Sequence, residues 1–163
     1  MTRVRLRAVA PIAGALAAVC ALSTLAMTQP RPAAAAENNA LADKPFADHH
    51  LVLQLSDDDA KKQSLVISVA YNLLKFYGPD KIAIEVVTFG PGIALLRSDS
   101  PNRTLVDSLV AQGVKFDVCM NTVETVERET GHRVPLNPNA KPVEAGVAQI
   151  LALTEKGYTL VRP

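Results

Sequence analysis

Val114-Lys115-Phe116-Asp117-Val118-Cys119-Met120-Asn121-Thr122-Val123-Glu124-Thr125-Val126-Glu127-Arg128 is the stretch on which the fold turns. Residues 114–118 read as a short strand, and 120–128 read as the helix that follows it directly. A strand that runs into a helix without a long loop is half of a βαβ unit. Cys119 stands at the junction, and in a parallel α/β sheet that edge is where ligands bind. A thiol there meets the positive end of the helix dipole and unpaired N–H groups, both of which favour thiolate. The alternative reading is a small buried hydrophobe that ends a strand. Position alone leaves the two open.

The same alternation extends outward in both directions. Upstream, 49–55 reads as a first strand, nearly continuous in apolar residues. A helix over 58–77 follows, with Val66, Ala70, Leu73 and Tyr77 at helical spacing and Ile67 and Leu74 widening the stripe. Gly78-Pro79 stops it. Residues 81–89 form a β-branched second strand, and Gly90-Pro91-Gly92 opens a loop carrying Ile93, Leu95 and Leu96. A helix from Pro101-Asn102 ends at Gly113. Downstream, Pro135, Pro138 and Pro142 mark an extended connection. Residues 143–147 are a candidate fourth strand, 149–156 a helix, and 158–161 a last strand. The expectation is an α/β fold, a three-layer α/β/α sandwich with a mostly parallel sheet of about five strands.

The N-terminus bounds the chemistry. Arg3, Arg5 and Arg7 precede an apolar, alanine-rich stretch over 8–27, and the run Ala33 to Ala36 offers an Ala-x-Ala site. This is the layout of a signal peptide over 1–36, which implies a periplasmic product; a membrane association follows only if the segment stays uncleaved. Residues 37–48 read as a flexible lead-in, and 49–163 as the domain. Without 1–36, thirteen Lys and Arg face sixteen acids, a formal charge of −3. A mildly acidic chain with no basic run is a poor nucleic-acid binder. Its one cysteine excludes an internal disulfide, and in an oxidising compartment an odd cysteine suggests a reactive thiol or a partner chain.

Three segments should share the rim of the sheet with the thiol: 56–59, 90–92 and 119–122. Ser56 reads as the helix cap, with Asp57, Asp58 and Asp59 complementing the dipole; a metal site is the alternative, and no metal is expected. Gly90 and Gly92 could expose N–H groups to an anion or sulfur species, or be an ordinary strand exit. Their spacing is not that of a nucleotide loop. Asn121 and Thr122 could donate to a thiolate or its adduct, or simply cap the helix. His49 and His50 point to opposite faces of their strand. A Cys119–His132 dyad fails on geometry, because the intervening helix separates the two by roughly 18 Å.

Residues 113–122, together with Tyr71-Asn72-Leu73-Leu74, 85–92, 144–147 and 157–163, resemble DsrE/DsrF-like proteins in order from about residue 49 to the C-terminus. The resemblance implies the three-layer domain, assembly into homo- or hetero-oligomers and, in sulfur-relay members, a persulfide on the cysteine matching Cys119. No cofactor is then needed; the partners are a sulfur donor and an acceptor, either small molecules or exported proteins. The best-known members act in the cytoplasm, so an exported chain would serve other partners than the tRNA-thiolation machinery. The competing reading is a non-enzymatic periplasmic binding or assembly module with a structural cysteine.

Overall fold

The strands at the centre of the sheet are mostly apolar, and each helix carries one apolar stripe. The computed structural model describes residues 44–163. The segment read as a signal peptide, Cys20 and residues 37–43 lie outside the described residues.

Strand β1 spans His49–Leu55, β2 Ile82–Thr88, β3 Lys115–Cys119, β4 Lys141–Val143 and β5 Thr159–Val161. The helices are α1 (Ala60–Tyr77), α2 (Arg103–Ala111), α3 (Met120–Thr130) and α4 (Gly146–Glu155). All pairings are parallel, in the order β4-β3-β2-β1-β5.

The handedness of the crossovers then fixes the layers. From β1 to β4 the chain steps along the sheet in one direction, so right-handed connections place α1, α2 and α3 on one face. From β4 it returns across the sheet to β5 beside β1, which puts α4 on the other face. The two cores agree with this division. Leu53, Leu55, Ile84, Val86, Phe116 and Val118 pack with Val66 and Ala70 of α1, Val106 and Leu109 of α2 and Val123 of α3. Val52, Ala83 and Val87 pack with Ile150 and Leu153 of α4 and with Tyr158. The expected three-layer α/β/α arrangement is therefore present.

Several local expectations need correction. Residues 90–96 form a 3-10 helix instead of a loop. It buries Ile93, Leu95 and Leu96, which an open loop would have left in water. The fourth strand lies at 141–143, not 143–147, and α4 begins already at Gly146. Pro142 is tolerated because β4 is an edge strand. The inward stripe of α1 runs through Gln63, Val66, Ile67, Ala70 and Leu74. Tyr77 instead faces outward and stacks on His49, with ring centroids 4.2 Å apart. The end of the lead-in is tied down: Lys44 Nζ donates to the carbonyls of Pro79 (2.8 Å) and Ile82 (3.1 Å). Among the described residues no helix is long and apolar enough to cross a membrane.

Candidate functional site

The chain leaves β3 for α3 on one face and leaves the neighbouring β4 for α4 on the other. Adjacent strands whose exits diverge open a crevice at their carboxyl ends, the usual ligand site of an open α/β sheet. Cys119, the last residue of β3, stands in that crevice, opposite Val143 in the pairing with β4.

Cys119 is also the N-cap of α3, in an extended conformation (φ −71°, ψ 111°). Its side chain lies on the α4 face. The sulfur is 4.0 Å from the carbonyl oxygen of Glu144, and the residue is 5% exposed. Burial pushes the thiol up. The Thr122 hydroxyl and the backbone N–H groups of Gly146, Thr122 and Asn121 pull it down, and the net result lies below the ordinary thiol value. Two helix N-termini, of α3 and of α4, thus converge on one sulfur, each contributing partial positive charge.

Thr122 works in two directions. Its Oγ1 accepts from Gly90 N–H at 3.1 Å, while the hydroxyl interacts with the sulfur. The N–H groups that Gly90 and Gly92 could offer a ligand are engaged within the chain. Gly90 N–H is taken by Thr122, and Gly92 N–H by the Phe89 carbonyl at 3.1 Å. Gly92 is required for another reason: a Cβ there would run into the carbonyl of Leu55. Asn121 donates its N–H to Glu144 O at 3.1 Å, stitching α3 to the chain entering α4.

Beside this hydrogen-bonded network lies a cavity of about 520 Å³. Gly90, Asn121 and Thr122 line it together with Ile93, Ala94 and Val126. That is the size of a small-molecule site. Cys119 does not line it, but Thr122, whose hydroxyl interacts with the sulfur, does.

The three aspartates after β1 are separately engaged. Asp59, not Ser56, caps α1, accepting from Lys62 N–H at 2.9 Å. Asp58 accepts from Gln63 Nε2 at 2.9 Å, and Asp57 pairs with Lys62 at 2.9 Å. The Ser56 hydroxyl donates to Asp57. The cap is Asp59 because α1 begins at Ala60. Among the described residues no three His, Cys, Asp or Glu side chains converge as metal ligands. His49 and His50 sit at the start of β1, away from the thiol's edge of the sheet. They pack on Tyr77 and Tyr158. His132 is exposed beyond the far end of α3.

Sequence reasoning missed Gly146. Its N–H faces the sulfur, and a Cβ on it would come within 3.0 Å of Phe89 Cβ and 3.3 Å of Cys119 Cβ. The available signal was a glycine between a proline-rich edge segment and an apolar helix, where a close backbone approach is a common reason for glycine.

The same fold occurs in MTH1491 of Methanobacterium thermoautotrophicum, described as a protein of unknown function. The two are 32% identical over 71% of this chain and 100% of that one, with a TM-score of 0.64. The chain belongs to the MTH1491 family. The ychN protein of E. coli shares the fold at 15% identity, over 71% of this chain and 99% of that one, with a TM-score of 0.56. Both neighbours of this MTH1491-family chain have DsrE/TusD-like folds, so the resemblance seen in the sequence holds at the level of fold. No family model matches the sequence, and no curated protein matches it significantly.

Proposed function

We propose that this protein is a sulfur carrier that holds sulfane sulfur as a persulfide on Cys119 and passes it to an acceptor. The observation that carries the reading is the convergence of the α3 and α4 N-termini on the one thiol of the described domain. Lowering the thiol favours attack and also makes the sulfur a better leaving group when the cargo is passed on. The DsrE/TusD-like folds of the structural neighbours support the same chemistry.

The transfer is balanced without an outside oxidant. The Cys119 thiolate attacks the outer sulfur of a donor persulfide; the donor S–S bond breaks and the donor leaves as thiolate. An acceptor thiolate then attacks the outer sulfur of the Cys119 persulfide, and Cys119 departs as thiolate. Thr122 and the N–H groups of Gly146, Thr122 and Asn121 hold the anion at both ends of the cycle, and the adjoining cavity accommodates the body of a donor or acceptor.

Export to the periplasm, cleavage near Ala36 and assembly into homo- or hetero-oligomers belong to this reading. The arginine-led apolar N-terminus and the family resemblance support them. The competing module with a structural cysteine draws support from the 5% exposure of Cys119. Intact-mass spectrometry after polysulfide treatment separates the two. A carrier gains increments of about 32 Da, the mass of one sulfur atom, and loses them in Cys119→Ser with the fold intact. A native thiol that neither alkylates nor loads sulfur overturns the proposal.

A further inference from the structure

The sheet face under α4 carries two acids among apolar neighbours. Glu85, in the middle of β2, is 1% exposed, and Asp117, in the middle of β3, is fully buried. The register sets Val87 opposite Asp117 and Glu85 opposite Lys115, so the two acids share a face one diagonal step apart. Gln149 of α4 donates Nε2 to Glu85 Oε1 at 2.7 Å. Lys141 of β4, half exposed, stands 4.0 Å from Glu85 Oε1 and 3.9 Å from Asp117 Oδ1, too far for short charge-assisted bonds. Glu85 Oε2 and both Asp117 oxygens are buried without a hydrogen-bond donor.

Two ionised carboxylates are acceptors only, so they cannot satisfy each other. Keeping both charged and buried opposite one distant ammonium is very costly. A single proton between them removes the repulsion and forms an O–H···O bond. In keeping with this, burial foremost, then the neighbouring Glu85 carboxyl, push the Asp117 carboxyl up to about 8, while Lys141 and Gln149 act in the opposite sense. On the same face, β1 presents His50, Val52 and Gln54, of which Gln54 accepts from Arg162. Lys115 of β3 also lies on this face, beside Glu85.

The pair is joined to the thiol twice. Asp117 and Cys119 are two residues apart on β3, hence on one face and about 6.6 Å apart along the strand. Gln149, which holds Glu85, is three residues from Gly146, within the first turn of α4, and the Gly146 N–H faces the sulfur.

We propose that Glu85 and Asp117 share one proton and act as a positioning pair for Cys119. Singly charged, the pair keeps Gln149 and the α4 N-terminus against the sulfur. Loss of the shared proton adds a second negative charge near the thiol, opposes thiolate and weakens the anchor of α4. This deepens the carrier reading, since it rests on Cys119 as a reactive thiol.

Two measurements on the full chain test it. Infrared spectra of wild-type protein labelled with ¹³C-carboxyl aspartate and, separately, glutamate should together show one buried protonated carboxylic acid at pH 7, an assignment that needs no variant. Its absence overturns the pair. Alkylation of Cys119 by iodoacetamide against pH should give a curve broader than a one-proton titration. Asp117→Asn and Glu85→Gln, checked for folding by circular dichroism, should narrow it to one proton. Asp117→Asn should react up to about twofold faster at pH 8, since the second charge cannot form. Folded variants with the wild-type profile, or a wild-type thiol inert at every pH, overturn the coupling. Polysulfide loading is read separately by mass. Loading with an unchanged profile in the variants sinks the pair alone; a broadened profile without loading sinks the carrier alone.

Discussion

Gly146 and Cys119 are in direct contact: a methyl group placed on the glycine would stand 3.3 Å from the Cys119 Cβ and 3.0 Å from that of Phe89. The first turn of α4 can reach the sulfur only because this position has no side chain.

Gly146→Ala should therefore push α4 away from β3. The expected cost is about 1–3 kcal/mol in stability, typical of overpacking. Withdrawal of the Gly146 N–H should also raise the thiol and slow its alkylation at neutral pH. Denaturant unfolding and alkylation kinetics check the two effects, and unchanged reactivity would show that the α4 N-terminus is irrelevant to the sulfur.

Thr122→Val removes the hydroxyl that interacts with the sulfur and accepts from Gly90 N–H. Alkylation at pH 7 should slow roughly three- to tenfold, the scale of one ordinary net hydrogen bond. Thr122→Ser should restore most of the rate. The comparison isolates the hydroxyl from the packing of the methyl group.

The stability of the protein should fall as pH rises from about 4 toward 8. In that range the folded Asp117 carboxyl, raised to about 8, keeps a proton that the unfolded chain has already released. The folded state then binds more protons, and the slope for this one group approaches about −1.4 kcal/mol per pH unit. Asp117→Asn should flatten the dependence. Urea midpoints at pH 5, 6.5 and 8 for both proteins provide the test; parallel curves would contradict it.

Asp59→Ala should cost about 1 kcal/mol through loss of the α1 cap and leave Cys119 chemistry unaltered. Ser56→Ala should be nearly silent, because its hydroxyl reaches only Asp57.

The layers of the fold were legible because β1 and β2 are near-continuous apolar runs and each long helix has a glycine at or near its end. Cys119, Asn121 and Thr122 were legible because strand and helix meet there without a linker. The 3-10 turn was not, since Gly90-Pro91-Gly92 suggests only a bend, and the burial of Ile93, Leu95 and Leu96 is a tertiary effect. The true cap of α1 was obscured by four consecutive capping residues, Ser56 to Asp59, among which geometry alone chooses. Glu85 and Asp117 were visible as charges inside apolar strands, yet the register that brings them together is not written in either strand. Gly146 was misassigned because its need for close approach arises from Cys119 and Phe89, distant in sequence.

The order of the strands has a consequence for how the chain comes together. β1 is made first but lies inside the sheet, and the edge it leaves open is covered only by β5, through pairs such as Leu51 with Thr159. Contacts of such long sequence separation form slowly, after the loop entropy has been overcome. The wall of the thiol site, Glu144 to Gln149, also arrives late. Until residues 144–161 are in place, one sheet face and Cys119 are bare whatever other strands have paired. Docking of α4 and β5 covers that face, adds the last edge strand and completes the site.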